Sequence, residues 1–175
     1  MNLLEAKNLY KSFGNINAVS DISISLNVGE VIGFLGPNGA GKSTTMKILT
    51  GFLEADSGSI EIKKIDLSKD PINAKSIIGY LPEGAPSYSD MTVKSFLYFV
   101  GKMRGLKDEL LEKRLEIMLK DINLTEVQNQ IIETLSKGYK RRVGIAQALI
   151  HDPDILILDE PTDGLDPNQK FEMRK

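Results

Sequence analysis

The stretch that most constrains this chain is Gly36-Pro37-Asn38-Gly39-Ala40-Gly41-Lys42-Ser43-Thr44. Glycine, four residues, then Gly-Lys-Ser is the spacing of a phosphate-cradling loop. The apolar run Val31-Ile32-Gly33-Phe34-Leu35 ahead of it predicts a buried strand of a parallel sheet. Met46, Ile48 and Leu49 behind it predict a short helix, and Gly51 is placed to end that helix. Glycines let successive N–H groups turn inward, where the positive end of the helix adds to their pull on phosphate oxygens. Lys42 is a point charge for the outer phosphates. The Ser43 hydroxyl suits an octahedral Mg²⁺. An ordinary glycine turn needs none of these additions.

A second chemistry-bearing element, this one carrying carboxylates, lies far along the chain. Ile155-Leu156-Ile157-Leu158 is an apolar strand that should lie centrally in a parallel sheet, and it ends in Asp159-Glu160. Ligands of open α/β sheets bind at that end of a strand. Asp159 suits a metal held near phosphates, and Glu160 suits a base that orients or deprotonates water.

Between these elements the patterning is legible. Residues 2–8 and 22–28 read as strands, the second alternating Ile22, Ile24, Leu26 and Val28 with polar residues. Asp56-Ser57-Gly58 reads as a turn into the strand Ser59–Ile62. Asp70-Pro71 opens a short helix. Ile77–Leu81 is a strand stopped by Pro82-Glu83-Gly84. Two helical stripes follow: Val93, Phe96, Leu97, Val100, Met103, and Leu111, Leu115, Met118, Leu119, Ile122. Tyr88, Tyr98 and Phe99 fall outside them, where exposed aromatics would mark a docking surface. Ser136 reads as the N-cap of a helix running to Ile150. Lys137, Lys140, Arg141 and Arg142 crowd its first turns against the helix dipole. They are either a solvated basic face or the seat of an anion.

At 175 residues, 41% apolar and 26% charged, the chain is ordinary globular material. A formal charge of −2 implies no general nucleic-acid field. Without cysteine there is no disulfide framework and no thiolate metal site. The N-terminus is too short and charged for a signal segment, and no stretch approaches a membrane span. The expected setting is cytosolic, with any membrane role exerted through a partner.

Taken in order, the chain resembles the ATP-binding subunit of an ABC transporter. Gly36 to Thr44 resembles Walker A, Asp159 with Glu160 resembles Walker B plus the catalytic glutamate, and Leu135 to Tyr139 resembles the signature motif. Phe13 stands where the family stacks adenine. Glu83 stands where the family usually has a glutamine that senses metal and water. Gly164-Leu165-Asp166 resembles the loop that crosses the dimer. The usual Ser-Gly-Gly-Gln is here Ser136-Lys137-Gly138-Tyr139, and with Glu83 this resembles the branch serving exporter-type permeases.

The resemblance implies an α/β fold, a P-loop NTPase core with an antiparallel β subdomain and an inserted helical subdomain. The core would comprise 1–83 and 151–175, the helical signature subdomain 84–150. It implies ATP and Mg²⁺ as cofactors, with Ser43, Asp159 and Glu83 toward the metal. It also implies a homodimer in which Ser136, Lys137 and Gly138 act in trans and Asp166 lies at the dimer loop. An integral-membrane permease is the implied partner, its cytoplasmic helix docking near Glu83–Phe99, with the subunit peripheral at the inner face of the membrane. ATP-driven closure would power transport. The family's switch histidine lies beyond the last residue, and His151 does not match it. The chain is therefore expected to be a shortened subunit that binds MgATP, hydrolyses it weakly and self-associates. A soluble ABC-type ATPase acting on nucleic acid or ribosomes is the alternative. Those proteins usually carry a coiled-coil insertion or a second cassette, and neither pattern appears in the sequence. Lys42, Ser43, Asp159 and Glu160 together argue against a non-hydrolysing regulator.

Overall fold

The computed structural model describes residues 2–84 and 88–160. Asp166, its loop and the expected final helical turns lie outside the described residues. The chain divides into two compact units that part between Ile78 and Gly79.

The first unit is built on an antiparallel sheet in the order β2-β1-β3-β4. β1 (Asn2–Phe13) and β2 (Ile16–Asn27) form one long hairpin closed by Gly14-Asn15, with Phe13 opposite Ile16. The strand therefore runs through Tyr10–Phe13, beyond the expected end at residue 8. Cross-strand pairing extends it, a long-range term that alternation within one strand does not reveal. Ile22, Ile24 and Leu26 alternate half-buried with exposed neighbours, as their spacing predicts, whereas Val28 lies past the end of the strand and is exposed. β3 (Ser57–Ile62) pairs with β1, setting Ile60 opposite Ala6 and Ile62 opposite Leu4. β4 (Ile65–Asp66) completes the sheet. Asp56 anchors the turn before β3: its carboxylate accepts from Lys11 Nζ at 2.6 Å and from the Ser12 N–H at 2.7 Å.

α1 (Lys42–Leu49) buries Thr45, Ile48 and Leu49. It ends as the sequence predicts. Gly51 takes φ 66°, and the Gly51 and Phe52 N–H groups donate back to the Ile48 and Lys47 carbonyls at 2.9 and 2.8 Å. This pair of bonds satisfies carbonyls that the helix end leaves orphaned. α2 (Pro71–Ser76) starts on Asp70, whose side chain accepts from the Asn73 N–H.

Val31–Leu35 departs from expectation. The segment forms no strand, and Val31 and Leu35 are 95% and 97% exposed. An apolar run becomes a strand only when a neighbour pairs with its backbone, and among the described residues none does.

The second unit is mainly helical. α3 (Val93–Met103), α4 (Asp108–Asp121) and α5 (Lys137–Leu149) enclose one core that includes Phe96, Leu97, Leu111, Leu115, Leu124 and Val143. Burying each such side chain contributes about 1.5–3 kcal/mol. The predicted stripes form this core, except that Met103 at the end of α3 is 72% exposed. Thr92 caps α3 at Ser95, while the Val93 and Lys94 N–H groups donate to the Gln130 and Gln128 carbonyls. Arg114 of α4 donates to the Leu149 and Ile150 carbonyls and pairs with Asp152, closing the C-terminal end of α5. β5 (Ile78–Leu81) and β6 (Ile155–Leu158) are hydrogen-bonded neighbours. β6 is less enclosed than its apolar sequence predicts: Ile155 is buried but Leu156 is exposed. Among the described residues it has only β5 beside it, so its faces are incompletely covered.

Candidate functional site

In the first unit, Gly39 and Gly41 take φ 83° and 84°, and Gly41 occupies the N-cap position of α1 with no side-chain cap bond. The start of the helix is thus left without the oxygen that Ser, Thr or Asp would supply, and its positive end faces the loop. Gly41 is required twice over. Its φ disfavours any Cβ, and a Cβ built there would lie 2.1 Å from the Ala18 carbonyl oxygen. The loop is therefore seated directly on β2. Lys42 Nζ donates to the Gly36 and Pro37 carbonyls at 2.8 and 2.9 Å, so its amine folds over the loop. Thr45 donates its hydroxyl to the Gly41 carbonyl at 2.9 Å and ties the first helical turn to the loop. Pro37, Asn38, Gly39 and Ala40 are exposed, while Ser43 and Thr44 are half-buried in the first turn. Phe13 is exposed at the hairpin end, with Lys11 Nζ 5.8 Å from its ring centre. These features fit a polyphosphate with an adenine base: backbone donors, a cation folded over the loop and an accessible aromatic face.

In the second unit, the C-terminal ends of β5 and β6 meet, the Asp159 N–H donating to the Leu81 carbonyl at 2.8 Å. That places the segment Pro82-Glu83 beside Asp159-Glu160. Asp159 is 3% exposed, and its Oδ2 has no hydrogen-bond partner among the described residues. An unpaired buried carboxylate oxygen is costly, and a cation is the partner that offsets it best. The donor therefore fits Mg²⁺. Tyr80 Oη is likewise buried without a partner among the described residues. Burial, and after it the charge of Asp159, pushes the Tyr80 phenol above its ordinary pKa. Glu83 and Glu160 are exposed, and Glu160 takes φ 47°, unusual for a residue with a side chain.

The signature segment opens α5. Ser136 caps the helix, accepting from the Tyr139 N–H at 3.4 Å. Lys137 is exposed and Gly138 buried. The basic cluster at this helix start is not a uniform solvated face. Arg141 is 8% exposed, and its guanidinium donates to the Pro82, Asp159 and Glu160 carbonyls. Sequence reasoning grouped it with Lys140. Its signal lay in helical spacing, since Gly138, Arg141, Gly144 and Ala148 form one buried stripe. His151 sits half-buried in the turn after α5. Among the described residues, no three histidine, aspartate or glutamate side chains converge as a metal cluster. No helix among them is long and apolar enough to cross a membrane.

A glycine loop seated at a helix start, together with a strand ending in buried and exposed carboxylates, defines the class of P-loop NTPases. The particular family follows from comparison with known proteins. Residues 19–163 match the ABC transporter family. The linearmycin resistance ATP-binding protein of Bacillus subtilis is 43% identical over 96% of this chain and 54% of its own length. The lipopolysaccharide export system ATP-binding protein of Escherichia coli is 36% identical over 100% of this chain and 74% of its own length. A solved ATP-binding subunit of an ABC transporter superposes with a TM-score of 0.88 at 32% identity, covering 98% of this chain and 71% of that one. A nucleotide-free ATP-binding cassette from an ABC transporter gives 0.82 at 28% identity, over 99% and 74%. The chain belongs to the ABC transporter family, among its ATP-binding subunits. It spans about half the length of two Bacillus subtilis relatives, 54% and 56%.

Proposed function

We propose that this chain binds MgATP on the Gly36–Thr44 loop and hydrolyses it to drive transport through a separate membrane permease. The observation that carries the reading is the uncapped start of α1 beneath that loop, with Lys42 poised over it. Loop N–H groups and Lys42 hold the phosphates, Phe13 stacks the adenine, and Ser43 and Asp159 hold the metal, with Glu83 near it. When bound, ATP supplies the scissile phosphoanhydride and Mg²⁺ neutralises its charge. Glu160 accepts the proton of the attacking water, from an exposed position beyond β6.

The same reading makes residues 84–150 the signature subdomain of the ATPase core. Ser136, Lys137 and Gly138 then meet nucleotide held by a second copy, and Asp166 lies at the dimer crossing. The subunit works at the cytoplasmic face, docked on its permease near Glu83–Phe99. Two features support the exporter-type branch: Glu83 in place of glutamine, and relatives whose names concern resistance and export.

Two variants test the scheme. Glu160→Gln should keep nucleotide affinity within about twofold while hydrolysis falls roughly 100-fold or more. Ser136→Arg should leave calorimetric MgATP binding to the monomer intact and abolish nucleotide-dependent dimerisation in size-exclusion chromatography. Undiminished turnover in Glu160→Gln removes the base from its role. Monomer binding that falls as far as dimerisation removes the trans action of α5.

A further inference from the structure

Arg141 lies one helical turn beyond Gly138 on the same face of α5. Its guanidinium leaves the helix surface and reaches three carbonyls on two other segments. It donates to Pro82 at 3.1 Å, and to both Asp159 and Glu160 at 2.5 Å. The first carbonyl immediately precedes Glu83. The other two belong to the carboxylate-bearing residues themselves. Guanidinium is suited to this, because its rigid fork directs several N–H groups at once and it keeps its charge when desolvated. The clamp also accounts for the backbone of Glu160. A non-glycine residue at φ 47° persists only where its surroundings over-determine it, and here its carbonyl is fixed from α5.

We infer that Arg141 is a positioning residue for catalysis, transmitting the position of the signature end of α5 to the main chain of Asp159 and Glu160. The inference rests on the functional reading above. Arg141 works through main-chain carbonyls and not through the carboxylates themselves. It acts by fixing where the two carboxylates start from, and by tying the Glu83 segment to the same charge. A displacement of the first turn of α5 moves the guanidinium, and the three carbonyls follow it.

The test uses the whole chain. Arg141→Lys keeps the charge but cannot span three acceptors. Arg141→Gln removes the charge, and Lys140→Gln removes an exposed charge from the same helix as a control. Amide exchange by mass spectrometry is read on peptides covering 78–84, 156–160 and α3, with calorimetric MgATP affinity and single-turnover hydrolysis alongside. Loss of charge-assisted hydrogen bonds should speed exchange roughly tenfold at the first two peptides in both Arg141 variants. Exchange in α3 and MgATP affinity should stay within about twofold, and hydrolysis should fall by roughly tenfold or more. The Lys variant should retain more activity than the Gln variant, and Lys140→Gln should match the parent. Unchanged exchange at 156–160 overturns the inference, as does faster exchange spread equally into α3, which marks a merely structural arginine. If the parent chain itself fails to bind MgATP, the functional reading falls, while the exchange pattern still decides whether Arg141 holds the two segments.

Discussion

The phosphate loop and the carboxylate end of β6 are held by opposite means. The loop is seated through its main chain, and the Lys42 and Thr45 side chains only add bonds to its own carbonyls. Gly41 sits against the Ala18 carbonyl, an approach no side chain permits, and its φ of 84° turns the loop over the helix start. The carboxylate end is positioned by a side chain from another element, the buried guanidinium of Arg141. A main-chain seat is rigid, and it fails completely when violated. A side-chain clamp can yield and return. The first suits a group that grips an invariant polyphosphate. The second suits residues whose placement must respond to another part of the molecule.

The sharpest way to break the comparison is Gly41→Ala. The left-handed φ alone costs about 1–2 kcal/mol, and the 2.1 Å approach adds overpacking, so a loss of about 3 kcal/mol or more is expected. Denaturant unfolding followed on the first unit measures it, and a loss below about 1 kcal/mol would mean that the seat on β2 is soft. Lys42→Ala comes next. It should weaken MgATP binding by roughly tenfold to 100-fold in calorimetry, as expected for a charge-assisted contact, with little change in stability because its two carbonyl partners are exposed. Asp159→Asn should act the other way on stability. Removing a buried charge whose Oδ2 is unpaired should raise stability in metal-free buffer by about 1 kcal/mol, and Mg²⁺ should no longer enhance nucleotide binding. A destabilised variant would show that the carboxylate is already satisfied.

The smallest effect is acid sensitivity in the first unit. Hydrogen bonds from Ser68, then from Lys69, lower the Asp66 carboxyl from 3.8 to about 2. A carboxylate with a depressed folded-state pKa contributes stability above its unfolded value and loses it as pH falls through the folded one. The contribution is therefore complete above about pH 4 and gone below about pH 2. Melting temperature should fall less steeply across that window in Asp66→Asn than in the parent. Parallel curves would remove Asp66 from the acid response.

What the sequence made legible was local. The loop, the glycine stop after α1, the Asp70-Pro71 start of α2 and the Ser136 cap each depend on residues within a turn of one another. The stripes of α3 and α4 were legible because helical spacing gathers one face, and Met103 escaped only because the core ends before it. Val31–Leu35 was misread because a strand depends on a distant partner. Arg141 was misread because composition at a helix start says nothing about which cation points inward. Tyr80, whose buried phenol feels the charge of Asp159, had no sequence signal beyond its place in a short strand.

One consequence of the two arginines, Arg114 of α4 and Arg141 of α5, concerns register. Arg114 holds the carbonyls of Leu149 and Ile150 and the carboxylate of Asp152, just ahead of β6, while Arg141 holds the carbonyls just past it. The strand is thus pinned before its first residue and after its last. β6 has only four residues, too few for its own ladder to resist slippage. A slip of one residue would turn each side chain to the opposite face and carry the Asp159 carboxylate away from its present side. Pinned at both ends, the strand cannot slip without releasing one arginine, so a short strand keeps the frame that a long one would owe to its length.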